Sequence, residues 1–246
     1  MITGGMTGGI IDGVSLGGVC EPTGTAAPAW TPLSLGAKLL AWHDPSDASC
    51  TMNGGNFAAI PDLSGNGHHA SNANASTQPL SSTMNGLRCV ASTGTRTLDT
   101  IAGTLNFGAE GAFVASVVDV VSESATINAH IANSGANGYF MYNTSSNVFT
   151  FRRTTNVLSG VVAAGSGKHY VAGHANTGTN ASTLTVDETV TVGTLTIGTL
   201  QRTSMYGTSV AGTYSMLIGD VLHVDNPTAG EIVQIKTYLE GKWGIV

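Results

Sequence analysis

Charged side chains are scarce in this chain. Only 10% of its 246 residues are Asp, Glu, Lys or Arg, against about 25% in an average soluble domain. The nine Lys and Arg residues form no cluster larger than Arg152-Arg153, and the formal net charge is −6. Because a nucleic-acid-binding surface needs a basic patch, we expect no nucleic acid partner. The surface must be covered by hydroxyl and amide groups, which suits a β-rich protein displayed outside a cell or on a particle.

Paired cysteines, an export signal and a membrane span are also missing from the sequence. Cys20, Cys50 and Cys89 are odd in number and contain no C-x-x-C pair, so neither a disulfide framework nor a zinc knuckle is supported. The first 20 residues lack the basic and compact apolar regions of a signal peptide. No apolar stretch approaches the roughly 18 residues of a membrane span. We therefore expect synthesis in a host cytoplasm, no membrane insertion, and release by a route such as lysis.

Opposed acidic residues, which glycoside hydrolysis requires, are not evident either. The six glutamates are dispersed along the chain, and Glu231 and Glu240 belong to a predicted helix. No closely spaced set of the E-x-D-x-x-E type occurs, and no pair of histidines has metal-site spacing. We expect a protein that is not an enzyme.

Glycine is abundant in residues 1–32, which read MITGGMTGGIIDGVSLGGVCEPTGTAAPAWTP. This density disfavours a helix, because ordering glycine has a high entropic cost. A purely flexible linker would not need apolar side chains, yet this segment carries several: Ile2, Met6, Ile10, Ile11, Val14 and Leu16. We predict an extended arm that orders against a neighbouring chain, with a first strand tucked into its own domain as the alternative.

Residues 33–246 have the pattern of an all-β domain. Short apolar runs alternate with Asn, Gly and Ser clusters at hairpin spacing, and the nearly continuous run 112–121 indicates a strand covered on both faces. Without crossover helices between them, these strands predict an antiparallel two-sheet jelly-roll sandwich. One C-terminal helix is predicted from the capping box that begins at Thr228 and from one apolar face: Ile232, Ile235, Leu239 and Trp243.

Four segments carry a more specific signature: residues 40–47 (LAWHDPSD), 60–70 (IPDLSGNGHHA), 219–224 (GDVLHV) and 235–245 (IKTYLEGKWGI). Together they resemble the laminin G-like members of the concanavalin A-like lectin/glucanase superfamily. The family pattern is W-x-D-x-S-D, then D-x-S-G-N-G-x-x-A, and a closing Y-L-x-x-K-W-G, and all three parts are present. The resemblance covers residues from about 33 to 246 and implies a concanavalin A-like sandwich. It says little about function, which resides in loops grafted on the fold.

Such domains occur in bacteriophage virion proteins, so the resemblance implies a structural protein of a tailed phage. It would decorate the capsid, form a head fibre or attach to the tail, with residues 1–32 docking on other virion proteins in a symmetric or homo-oligomeric assembly. The alternatives are a bacterial carbohydrate-binding module or adhesin and, third, a glycoside hydrolase. The localisation implied is the virion surface.

Two sets of residues are candidates for binding. Asp44, Asp47 and Asp62 offer carboxylates for calcium, but turn capping is the favoured explanation of all three. No other cofactor is expected. Tyr139, Tyr142 and Tyr206, with Phe149 and Trp30, are aromatic residues on which a host glycan could stack, unless they fill core positions instead.

Overall fold

The fold is taken from a computed structural model of the chain. It describes residues 29–93, 96–100, 104–105, 111–122, 128–133, 139–143, 148–153, 156–162, 165–176, 182–195, 200–201, 204–208 and 215–245. The apolar residues of the predicted docking arm, from Ile2 to Leu16, lie outside the described residues, so docking through this arm stays a prediction.

Strands dominate the described part of the chain, and one 3-10 helix, Pro32–Lys38, precedes them. In chain order the strands are β1 (Leu39–His43), β2 (Thr51–Asn53), β3 (Asn56–Ile60), β4 (Ala70–Ser71), β5 (Leu80–Met84), β6 (Leu87–Thr93), β7 (Leu98–Thr100), β8 (Thr104–Leu105), β9 (Gly111–Ser122), β10 (Asn128–Asn133), β11 (Tyr139–Asn143), β12 (Val148–Arg153), β13 (Asn156–Val161), β14 (Lys168–Asn176), β15 (Ser182–Val186), β16 (Thr189–Gly193), β17 (Leu200–Gln201), β18 (Ser204–Thr208) and β19 (Ser215–Asp225). Helix α1, Ala229–Trp243, follows them.

The strands form two antiparallel sheets. The first runs β16-β15-β14-β9-β19, and the far side of β19 pairs with β6 along its first half and with β1 along its second. The second runs β7-β18-β10-β11-β12-β13. The predicted all-β, antiparallel two-sheet sandwich is therefore confirmed.

The two lateral sides of the sandwich differ. On one side, β5, β3 and β4 connect β6 to β7, so hydrogen bonding continues from one sheet to the other. On the other side, within the described part of the chain, the sheets end at β13 and β16. There the Thr191 hydroxyl on β16 donates to the Ser159 carbonyl on β13 at 3.2 Å, so the two edge strands lie one above the other.

Strand β9 is buried on both faces, as its apolar run predicts. Val114 and Val118 face the core between the sheets, whereas Phe113 and Val117 on alternate positions face a second core beneath helix α1. A strand has a side-chain period of two, so an uninterrupted apolar sequence is what a strand with two covered faces requires.

Helix α1 begins and ends as the sequence predicts. The Thr228 hydroxyl accepts from the Glu231 N–H at 3.2 Å, and the Glu231 carboxylate accepts from the Thr228 N–H at 2.6 Å, which completes the capping box. Gly244 ends the helix in the left-handed conformation, with φ of 65°. The predicted apolar face, which includes Ile235 and Leu239, is buried on the outer side of the first sheet.

Two thiols lie in the described residues, and both are free and buried. Burial raises the pKa of Cys50 to about 11 and that of Cys89 to about 12, so neither is a thiolate at neutral pH. Among the described residues, no helix combines the length and the apolar character needed to cross a bilayer.

Gly219 on β19 should be essential for the docking of helix α1. A Cβ at this position would lie 2.6 Å from Cε2 of Trp243, so the indole ring rests on the bare backbone. We expect Gly219→Ala to lower the free energy of unfolding by about 1–3 kcal/mol through overpacking. Gly241→Ala is the matched control, because a Cβ there meets nothing within 4 Å and the helix gains an alanine. Chemical denaturation measures both; equal stability of the two variants would contradict this packing.

Candidate functional site

The family-signature residues meet at a buried carboxylate. Asp220 on β19 is fully buried. The indole N–H of Trp42 donates to its Oδ2 at 2.9 Å, and the indole N–H of Trp243 donates to its Oδ1 at 3.1 Å. A single side chain therefore links strand β1, near the beginning of the described chain, to the last residue of helix α1, near its end.

The ammonium of Lys242 completes this cluster. Its Nζ lies 2.8 Å from Asp220 Oδ1 and 2.5 Å from Asp44 Oδ2. Burial and the nearby Asp44 carboxylate raise the pKa of Asp220 to about 7, and Lys242 opposes this rise only in part. The two carboxylates are thus close together, but they are buried and share one ammonium, which leaves no cleft for a sugar between them.

Asp62, one of the calcium candidates, caps its own turn. Its Oδ1 accepts from the backbone N–H groups of Trp42 at 2.9 Å and Ser64 at 3.0 Å. Its Oδ2 accepts from the Ser64 hydroxyl at 2.9 Å and the His68 N–H at 3.0 Å. Burial opposes ionisation of Asp62, but the bonds from Trp42 and Ser64 outweigh it and lower the pKa of this carboxyl.

Asp44 and Asp47 also cap turns. Asp44 Oδ1 accepts from the Ser46 N–H at 2.8 Å and from its hydroxyl at 2.6 Å, and Asp47 Oδ1 accepts from the Ser49 N–H at 2.8 Å. The oxygens of Asp44 and Asp62 face N–H and O–H donors or the Lys242 ammonium, so this set does not fit calcium. Within the described ranges, no group of three or more His, Cys, Asp or Glu side chains is arranged to hold a metal.

The structure places the aromatic residues that were candidates for glycan stacking in different environments. Tyr139 and Tyr142 lie on β11, but their side chains are outside the described part of the structure. Tyr206 on β18 is fully buried, and its hydroxyl donates to the His43 carbonyl at 3.4 Å. Phe149 is fully buried in the core as well. Tyr206 and Phe149 are therefore core residues with no ring face for a glycan. Phe149 faces inward by strand alternation, whereas Tyr206 joins the neighbouring Met205 in the core because its backbone is in the left-handed conformation, with φ of 53°.

An open pocket of about 280 Å³ lies on the outer side of helix α1. It is lined by Trp30, Val233, Gln234, Thr237 and Tyr238. The rings of Trp30 and Tyr238 meet edge to face, with centroids 5.9 Å apart and planes at 64°. Tyr238 is supported from behind by Trp42 at 6.1 Å, so the aromatic wall rests on the buried Asp220 cluster.

The polar groups of this pocket remain available for a ligand. Thr237 Oγ1 donates to the Val233 carbonyl at 2.9 Å, which leaves its oxygen free to accept. Neither the Gln234 amide nor the Trp30 indole N–H has a hydrogen-bond partner among the described residues. Aromatic rings beside a few unsatisfied donors and acceptors are typical of small-ligand sites.

A second polar arrangement joins the turn before β14 to the β15–β16 hairpin. The Ser166 hydroxyl lies 2.7 Å from His169 Nε2, and His169 Nδ1 lies 2.7 Å from Asp187 Oδ2. This order matches a nucleophile, a base and an orienting carboxylate. However, Ser166 is exposed on a turn, and Asp187 Oδ1 also accepts from the Tyr170 N–H at 3.0 Å. We interpret these hydrogen bonds as a structural link between the two turns.

The comparisons with known proteins identify the fold. No protein-family model matches the chain, and no curated protein matches its sequence. Among solved structures, Trypanosoma rangeli sialidase in complex with sialic acid is similar over 88% of this chain and 34% of that chain, with 14% identity and a TM-score of 0.56. The botulinum neurotoxin serotype G binding domain is similar over 84% of this chain and 54% of that chain, with 7% identity and a TM-score of 0.61. The chain has a lectin-like β-sandwich fold.

At these identities the likeness extends to the fold alone. The chain spans about a third of the sialidase and about half of the toxin domain. The activity of the larger proteins therefore does not transfer to it.

The quoted motifs contain the scaffold residues but do not reveal the carboxylate that joins them. Asp220 and Lys242 stand inside the quoted motifs, yet only the fold brings them together, because they belong to a strand and to the following helix. Trp30 is among the aromatic residues that the sequence offers for a glycan, whereas Gln234 and Thr237 belong to no motif. The i, i+3 spacing of Gln234 and Thr237 on the polar face of the predicted helix is the one sequence feature that places them side by side.

We expect the Asp220 cluster to make stability depend on pH. In the unfolded chain this carboxyl has its ordinary pKa of 3.8, whereas in the folded protein burial and Asp44 raise it to about 7. Between these values the folded state retains a proton that the unfolded state has lost, so the contribution of Asp220 to stability falls as pH rises, by up to about 1.4 kcal/mol per pH unit.

The Asp220→Asn variant lacks this titration, so comparing it with the wild type isolates the contribution of Asp220. The free energy of unfolding of the wild type minus that of the variant should fall between about pH 4.5 and about pH 7.5. This is roughly the range between the pKa of Asp220 in the unfolded chain and its raised pKa in the folded protein. Asp47→Asn, at a half-buried turn, should leave the slope unchanged, because the hydrogen bonds from Ser49 lower the pKa of Asp47 and keep it ionised in the folded state over this range. A wild type that gains stability over Asp220→Asn as pH rises would mean that the three N–H donors keep Asp220 ionised, contrary to this prediction.

Proposed function

We propose that this chain is a structural virion protein of a tailed bacteriophage that displays a lectin-like sandwich outward and attaches to host glycans. It would decorate the capsid, form a head fibre or attach to the tail. Residues 1–32 would dock on other virion proteins. The support for the virion role is the laminin G-like signature together with the ion-poor composition and the apolar, glycine-rich leader.

The signature residues themselves are structural. Trp42, Asp62, Asp220 and Trp243 are engaged with one another or with backbone groups, so the motif builds a scaffold. Function would then reside on surfaces outside the motif, as is usual for folds that serve many purposes.

The pocket at Trp30 is the observation that carries the glycan proposal. A pyranose ring has an apolar face that can stack on an indole, and its hydroxyl groups can bond to an amide and a hydroxyl. Trp30 supplies the first, and Gln234 and Thr237 supply the second. A volume of about 280 Å³ accommodates one or two sugar units. The sialic acid of the similar sialidase structure makes acidic sugars worth including among the probes.

Glycan binding is tested by a glycan array followed by calorimetry with the full chain. We expect selective binding that Trp30→Ala weakens by about tenfold, because the stacking surface is lost. Trp30→Phe should retain part of the affinity, and Gln234→Ala should reduce it without affecting the fold. Leu33→Ala, at an exposed apolar residue outside the pocket, is the control. Full affinity in Trp30→Ala, or no glycan bound by the wild type, would overturn this part of the proposal.

The virion role is tested separately by limited proteolysis. In the isolated chain, we expect cleavage within residues 1–28, ahead of the packed Trp30, while the sandwich survives, because a glycine-rich segment that does not pack on its own domain is readily cleaved. In the assembled particle, the same segment should be protected by its neighbours. A segment that resists cleavage in the isolated monomer would argue against docking on another chain and would favour the second candidate, a bacterial adhesin or carbohydrate-binding module that uses the same pocket.

A further inference from the structure

The pocket at Trp30 has an uncharged lining. None of its lining residues, Trp30, Val233, Gln234, Thr237 and Tyr238, is ionised at neutral pH. The free Thr237 oxygen accepts a hydrogen bond, and the Gln234 amide both donates and accepts. A sugar hydroxyl also donates and accepts, whereas a carboxylate only accepts. The polar groups of this pocket therefore match hydroxyl groups, and an acid group would leave their acceptors without a donor.

The aromatic wall of the pocket is backed by carboxylates. The hydroxyl of Tyr238 bonds to the buried Asp220. Burial and the negative charges of Asp220 and Asp44 raise the pKa of this hydroxyl. The Lys242 ammonium lies 5.8 Å from the centre of the Tyr238 ring, but it is bonded to both carboxylates. This cation is thus already compensated and is not available to an anion in the pocket.

Two further lysines contact or belong to helix α1, and both are paired. Lys38 Nζ lies 2.7 Å from Glu231 Oε2. Lys236 contacts Glu188 and lies 3.4 Å from Glu240 Oε1. Each of these lysines therefore faces at least one carboxylate, so around this helix no described ammonium is left to balance the charge of an acidic ligand.

Two of these glutamates flank the pocket along the helix. Glu231 precedes Gln234 by three residues, and Glu240 follows Thr237 by three residues. Residues three apart are neighbours on a helix surface, so the polar groups of the pocket lie between two carboxylates. The whole chain also carries a net charge of −6. An anion would therefore approach this pocket against the electrostatic field of the protein.

We propose that the pocket selects uncharged sugar rings and rejects sugars that carry a carboxylate, such as uronic acids. The inference rests on the glycan binding proposed above and specifies its ligand class. A carboxylate entering the pocket would lose water without gaining a cation, whereas Gln234 and Thr237 replace the water lost by sugar hydroxyl groups. The selectivity would thus come from an unfavourable acid rather than from an additional contact to the uncharged sugar.

Paired probes test this inference on the full chain. The methyl glycosides of glucose, galactose and mannose are each compared with the uronic acid in which the exocyclic carbon is a carboxylate, and NMR titration gives the dissociation constants. We expect an uncharged glycoside to bind, and its uronic acid to bind about tenfold more weakly or worse. Because no ion pair forms, the affinity for the uncharged glycoside should not change with ionic strength.

A lysine placed at the pocket supplies the missing cation. Val233 lines the pocket and is 63% exposed, so Val233→Lys adds an ammonium while the rings, the amide and the hydroxyl are retained. We expect this variant to bind the uronic acid about threefold more tightly or better, an effect that salt weakens, with little change for the uncharged glycoside. Leu33→Lys is the matched control, because it makes the same change of net charge at an exposed residue outside the pocket. Circular dichroism melts establish that both variants remain folded.

Failure of this inference and failure of glycan binding itself give different results. A uronic acid that binds the wild type as tightly as its uncharged counterpart would overturn the charge selectivity while leaving glycan binding intact. Equal discrimination by the wild type and Val233→Lys would also overturn it, because the charge at the pocket would then not set the selectivity. No binding of any uncharged glycoside would contradict glycan binding, and the inference with it.

Discussion

The buried carboxylate of Asp220 is the interaction on which the rest of the structure depends. Two indole N–H groups and an ammonium donate to it, and these donors come from strand β1 and from the end of helix α1. Removing such an acceptor from a buried site leaves every donor unsatisfied, which is more destabilising than the loss of one bond. Because the tryptophans are also large apolar groups, the same contacts that satisfy their polar atoms bury the second core.

This arrangement separates the scaffold from the surfaces that can evolve a function. The signature residues point inward or cap turns, so they specify how the chain folds and leave its outer surface free to vary. The pocket beside Trp30 shows how the two are connected: Trp42 supports Tyr238 from the inside, and Tyr238 forms a wall of the pocket outside. A rigid core thereby holds an aromatic surface in place without contributing to binding itself.

Much of the fold could be predicted from local patterns, but little of the site could. Strand β9 and helix α1 have periodicities and capping residues that act within a few residues of one another, so the sequence specifies them directly. Tyr206 takes the core position that was the alternative to a glycan contact, and the left-handed backbone that turns it inward is not evident from a single sequence. The capping roles of Asp44 and Asp62 were among the alternatives, but the Lys242 ammonium beside Asp44 depends on packing across the molecule.

The bond between Trp42 and Asp220 joins residues separated by 178 positions. Strand β1 also pairs with β19, so an early segment of the domain cannot reach its native neighbours until nearly all of the chain has been synthesised. Contacts of such long separation slow folding, and partly folded sheets expose edges that can pair wrongly. During translation the nascent chain therefore carries its opening strand without its native partner until β19 has been synthesised, and this is the period in which a chaperone would protect it.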